Sequence, residues 1–177
     1  SVPPGSHGLV LQPYWSPGLR FPGTEARGAI IGFGDMHTRA HVYRAILEAT
    51  AYAVAHNMEA MRTAGGVPRR AIAVGGGARS DLLLQIVSDV TGIEQELPAQ
   101  TIGAAYGDAF IAGLATGLLP LSALEAHWVR TARRFMPDPG RHEVYQAYYR
   151  IYRDLYPHTR EDLHALARLG TGNVFTA

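Results

Sequence analysis

The chain has 177 residues, 47% of them hydrophobic, with 16 Lys and Arg against 15 Asp and Glu. That length suits one well-buried α/β unit and is too short for two large domains. The near-balanced charge excludes a global field that would draw the chain onto nucleic acid or anionic lipid, so neither a nucleic acid nor a membrane is expected as a partner.

The absence of cysteine removes disulfide scaffolds, thiol catalysis and thiolate zinc sites, and it fits a reducing compartment. No apolar run reaches the roughly 20 residues needed to cross a bilayer. SVPPGSHGLV lacks the basic segment and apolar core of a secretory signal, so a cytoplasmic location is the expectation. The sequence opens without methionine in a Pro/Gly/Ser-rich stretch, which reads as a linker or mid-domain loop of a longer protein.

Residues 1–27 read as an irregular lead-in to the same domain, because Pro3, Pro4, Pro13, Pro17 and Pro22 forbid a long element. Gly8 to Gln12 can form a short strand there, and Tyr14, Trp15 and Phe21 need something to pack on. Gly28 to Phe33 (GAIIGF) reads as a second short strand. Thr38 is an N-cap for a helix to Thr63, apolar at helical spacing until Gly65 and Gly66 stop it. Ala71 to Val74 is a buried strand, ended by the glycines of AVGGGARSDLLLQIVSD; Ser80 or Asp81 caps the helix that follows to Gly92.

Ile93 to Leu97 is a further strand. The next helix runs from Ile102 to Gly117, with Gly103, Ala104, Ala105, Gly107, Ala109, Ala112 and Gly113 on its surface, so a close neighbour is expected. After Pro120 come a short helix from Ser122 to His127, the loop MPDPGR, and a helix from Glu143 to Leu155 that resumes after Pro157. Alternating helices and strands argue an α/β fold.

Several groups could carry chemistry. Strand, Gly75-Gly76-Gly77, helix leaves backbone N–H groups at a helix start and lets a flat ligand approach with no Cβ in the way. Taken alone, the same glycines serve equally as a tight turn, since neither GxxxxGK[ST] nor GxGxxG is present. His37 and His41 share a helical face, as a zinc pair requires, but no third ligand accompanies them, so capping or surface histidines are expected and no metal. Arg44 and Glu48 are spaced for an i,i+4 ion pair. Tyr145, Tyr148, Tyr149, Tyr152 and Tyr156 fall at helical spacing, a packing face rather than a base-stacking platform without a basic groove beside it.

Four ordered stretches together resemble the C-terminal part of FGGY-family carbohydrate kinases, which include glycerol kinase, xylulokinase and ribulokinase. They are PYW followed by ARGAIIG, then HVYRAILE from His41 to Glu48, VGGGARSDLLLQIVSDVTG from Val74 to Gly92, and IGAAYGDAFIAGLATG from Ile102 to Gly117. The resemblance implies an actin-like, ribonuclease-H-like ATPase domain, a mixed sheet packed by helices, over residues 28–177. It also implies transfer of the γ-phosphoryl group of Mg-ATP to a sugar or polyol hydroxyl.

In the family the DxGT phosphate loop and the catalytic carboxylate belong to a preceding domain, which these residues do not contain. The resemblance therefore assigns this chain no catalytic residue. It assigns Gly75, Gly76, Gly77, Ala78, Ser80 and Asp81 to the nucleotide, with ATP and Mg²⁺ completed by the absent N-terminal sugar-binding domain of the same polypeptide. It gives Arg44 and Glu48 a structural part. The 177 residues alone are expected to be inactive; a stand-alone nucleotide-binding regulatory module of the same fold, or an interaction domain docking through the Gly/Ala-rich helix, are the alternatives. Oligomeric state is open, a homodimer included. Phe33 stands where Leu, Ile, Val or Met is usual; Leu83 where many relatives carry Trp, a shorter run from Glu96 to Ile102, and SPGLRFP, a loose match to GERxP, bear on which sugar is used.

Overall fold

The computed structural model describes residues 2–15, 22–66 and 68–172. Phe21 and most of SPGLRFP lie outside them.

Two sheets are present among these residues. Strands β1 (Val10–Gln12) and β2 (Ala29–Ile31) form an antiparallel ribbon with Leu11 opposite Ile30. Strands β3 (Ala71–Ile72), β4 (Gln95–Pro98) and β5 (Thr131–Phe135) form a mixed sheet in that order, β3 parallel and β5 antiparallel to β4. Helices α1 (Arg39–Thr63), α2 (Asp81–Thr91), α3 (Ala104–Ala115) and α4 (Pro139–Gly172) supply the rest. The mixed sheet packed by helices agrees with the α/β expectation.

The main core lies where α1, α2 and α4 meet, with Leu9, Val10 and Leu11 of the lead-in buried against them. Here the tyrosine stripe is a packing face: Tyr145, Tyr149, Tyr152 and Tyr156 are buried, and Tyr52 of α1 meets Tyr145 edge-on at 6.2 Å. Trp15 rests on Gly28, where a Cβ would come within 2.7 Å of the indole.

Beneath the tyrosines lies a polar hub. The Gly5 N–H and the Ser6 hydroxyl donate to the two carboxylate oxygens of Glu48, each at 2.9 Å. Arg44 Nε and the Tyr145 hydroxyl donate to the same side chain, and Arg44 Nη2 donates to the Tyr145 oxygen at 2.7 Å. Glu48 is only 1% exposed, so the Arg44–Glu48 pair is a buried anchor and not a surface ion pair. Burial pushes the Tyr145 phenol above its usual range and keeps it a neutral donor. Glu48 also holds a turn in which Gly5, Ser6, His7 and Gly8 all take positive φ. At Gly5 a Cβ would collide with the Tyr148 ring, so glycine is required twice over there.

Four expectations need correction. Ala71 to Val74, expected as a buried strand, is a strand only over Ala71–Ile72, and Ile72 and Val74 are exposed. One strand was not foreseen at all. β5 reads TARRF, four of its five residues exposed, and lacks the apolar alternation that marks a strand; its register with β4 makes it one. The short helix after Pro120 is a single wide turn, Leu124–Trp128, closed by the Val129 N–H donating to the Leu124 carbonyl. The loop MPDPGR is a helix start: Asp138 accepts from the Arg141 N–H at 2.8 Å, and Pro139 occupies the first helical position, where its missing N–H costs nothing.

Finally, α4 runs unbroken through Pro157. An interior proline costs about 3 kcal/mol. Packing offsets it, since Tyr156 and Leu163 bury against Ala26 and Tyr14, the Tyr156 hydroxyl donates to the Pro22 carbonyl, and Glu25 pairs with Arg168 and His164.

Candidate nucleotide-binding site

β3 and β4 are parallel, and their carboxyl ends deliver the chain into two neighbouring loops. The first is the glycine turn, whose last four residues, Gly76–Arg79, form one 3₁₀ turn before α2. The second is the segment 99–103, which leads into α3. The Gly75 N–H donates to the Thr101 carbonyl at 2.8 Å and ties the two together. Ligands of open α/β sheets sit outside the carboxyl ends of parallel strands, and this is that edge.

Gly75 has φ +83° and needs to be glycine for its backbone alone. Gly76 and Gly77 are different. A Cβ on Gly76 would meet nothing within 4 Å, and one on Gly77 would make an ordinary 3.4 Å contact with Leu83. All three are exposed. Packing among the described residues therefore gives no reason for glycine at Gly76 or Gly77, whereas the approach of an external flat group would. Ala78 is buried, packed in a small cluster with Leu84 and Leu97.

Ser80 is the cap of α2: its hydroxyl accepts from the Leu83 N–H at 3.3 Å. Asp81 does not cap. Both its oxygens accept from Arg133 of β5, at 2.6 and 2.7 Å, and these bonds hold its carboxyl below the usual carboxylate range. Arg133 went unnoticed in the sequence because β5 did; an arginine 52 residues away carries no local signal.

Beside the turn, an apolar cavity of about 340 Å³ is lined by Val74, Pro98, Ile102, Tyr106, Phe110 and Trp128. A larger one, about 420 Å³, lies at the far end of α2 and is lined by polar groups of α1 and α4, with no residue of the glycine turn. Within α2, Gln85 and Asp89 are structural. Asp89 is buried and accepts from Gln85, from Arg141 at 2.6 Å and from the Asp138 N–H, which clamps α2 to the start of α4.

The two histidines build the start of α1. The Thr38 N–H donates to His41 Nδ1 at 3.1 Å, and the Gly34 N–H donates to His37 Nδ1 at 2.8 Å. His7 Nδ1 lies 3.0 Å from His41 Nε2. Among the described residues, no group of three or more His, Asp or Glu side chains is arranged to hold a metal. Desolvation, then the imidazoles of His7 and His37, hold His41 below the usual imidazole range. The unfolded chain thus binds this proton more readily. The stabilisation is complete above about pH 6.5, the unperturbed imidazole value, and is lost as pH falls through the depressed folded value. Melting between pH 7.5 and 5.5 should show a drop in Tm that is smaller in His41→Asn; equal drops in both proteins would refute the assignment.

The sequence profile of the FGGY family of carbohydrate kinases, C-terminal domain, matches residues 1–116. This chain belongs to that family. The FGGY chain is 40% identical over 130 residues to glycerol kinase of Geobacter sp. (strain M21), covering 73% of this chain and 25% of that protein. It is 29% identical over 164 residues to xylulose kinase of Bacillus subtilis (strain 168), covering 91% of this chain and 33% of that one. Among solved structures, xylulose kinase from Rhodospirillum rubrum superposes with a TM-score of 0.77 at 35% identity, over 92% of this chain and 33% of that protein. Glycerol kinase from Plasmodium falciparum with ADP gives 0.69 at 21% identity, over 82% and 30%, a likeness of fold. These neighbours carry the actin-like ATPase fold expected from the sequence. The FGGY chain spans a quarter to a third of the length of these relatives.

Proposed function

We propose that this chain supplies the nucleoside side of the cleft in an ATP-dependent sugar or polyol kinase. Gly75, Gly76, Gly77 and Ala78 offer backbone to the adenosine, and Ser80 and Asp81 stand at its edge. The observation that carries this reading is the pair Gly76 and Gly77, glycines for which the chain itself has no packing use, at the carboxyl edge of two parallel strands.

The chemistry to be done is positioning and charge neutralisation of a triphosphate, with a carboxylate to take the proton of the attacking hydroxyl. Magnesium, the phosphate-gripping loop and that carboxylate are assigned to the preceding part of a longer polypeptide. Helix α3 supports this. Apart from Asp108 and the Tyr106 hydroxyl its side chains are apolar or small, yet among its residues only Phe110 is buried, while Ile111 and Leu114, and Ile102 just before the helix, stand exposed. Exposed apolar residues in such number on one helix are expected where a further body covers it. Among the described residues β3 is an edge strand, which points the same way and argues against a stand-alone regulatory module.

The test is to express the full-length polypeptide and offer Mg-ATP with a panel of ketoses and alditols. ADP release that depends on one of these acceptors is expected, and none from the 177 residues alone. A full-length protein that phosphorylates no member of the panel, yet binds ADP tightly through the isolated 177 residues, would sink the kinase reading.

A further inference from the structure

We propose that Arg133 is a positioning residue for nucleotide binding: from β5 it holds the Asp81 carboxylate in one orientation and cancels its charge at the lip of the glycine turn. The inference rests on the nucleotide reading of that turn.

Asp81 is the only acidic residue in the first turn of α2. The amino end of a helix carries roughly half a positive charge, which favours a nearby anion. A free carboxylate there would more than cancel that charge and set a net negative group beside an incoming nucleotide. Arg133 reverses this balance. Its two terminal nitrogens take one Asp81 oxygen each, at 2.7 Å or less, the fork-to-fork geometry that a lysine cannot reproduce.

Arg133 is itself placed from two sides. It stands opposite Leu97 in the β4–β5 register, and Leu97 packs under Ala78 of the turn. Its guanidinium carbon also lies 5.4 Å from the centre of the Phe135 ring. Both partners of the ion pair are about half exposed, and pairs of that kind contribute little to stability. What remains is the local field and the fixed carboxylate, both at the mouth of the site.

The test uses initial rates of the full-length protein at varied ATP. Arg133→Ala is expected to raise the KM for ATP about fivefold with kcat nearly unchanged, and added salt should narrow the gap. Arg133→Lys should recover only part of it. In an Asp81→Asn background, Arg133→Ala should have no further effect, because the charge it balances is gone. A loss that persists in that background, or one that falls on kcat together with Tm, would mean that Arg133 merely anchors β5, and would overturn the proposal. The two readings fail separately. If Gly76→Val leaves the KM for ATP untouched, the nucleotide assignment falls; if Gly76→Val raises it while Arg133→Ala does not, only the role of Arg133 falls.

Discussion

Glu48→Ala should destabilise the protein by about 3–5 kcal/mol, the largest effect expected of any single substitution here. The carboxylate accepts from Gly5, Ser6, Arg44 and Tyr145, and its removal strands the Arg44 guanidinium, whose side chain is 15% exposed, against a phenol with no anion beside it. It also frees the turn from Gly5 to Gly8, in which Ser6 and His7 take positive φ and which the carboxylate grips through the Gly5 N–H and the Ser6 hydroxyl. Denaturant midpoints at unchanged slope would measure the loss. Tyr145→Phe removes one hydroxyl and should cost about 1 kcal/mol. A Glu48→Ala loss below that of Tyr145→Phe would show that the hub is not the anchor described.

Gly76→Val should lower nucleotide affinity at least about tenfold, roughly 1.4 kcal/mol, while changing stability by less than about 1 kcal/mol. The separation of the two effects is the point. A side chain at Gly76 meets open space, so the fold has no cause to object. Gly75→Val would not serve, because φ +83° penalises any side chain whether or not a ligand binds. Calorimetry with ADP on the full-length protein, paired with thermal melting, separates the outcomes. Unchanged affinity would remove the glycine turn from the nucleotide site.

The helices that sequence reading found are those whose packing writes a period into the chain. α1 has a cap at Thr38 and glycines at its end, α2 has Ser80 before an apolar face, and the tyrosines of α4 recur at helical spacing. What it missed was decided elsewhere. β5 is a strand because β4 offers it a partner, and its arginines serve Asp81, Glu94 and Glu96, not a core. α4 passes through Pro157 because the lead-in closes over it, a contact between Pro22 and Tyr156 that no local window can see. Within the site the glycines were legible, while their context was only half so. Ser80 and Asp81 look like equivalent caps in sequence, and only the position of Arg133 separates the one that caps from the one that is held in an ion pair.

The hub around Glu48 also bears on when this chain can fold. Its partners come from Gly5, 43 residues before Glu48, and from Tyr145, 97 residues after it. During synthesis α1 can pair Arg44 with Glu48 as soon as it emerges, with Gly5 and Ser6 already made, but the hub lacks Tyr145 until the first turns of α4 arrive. Closing so long a loop is slow, and contacts of this span lower folding rates. The glycine turn lies inside that loop. That turn is thus made before the core behind it is complete, since the helix that supplies Tyr145 comes later in the chain.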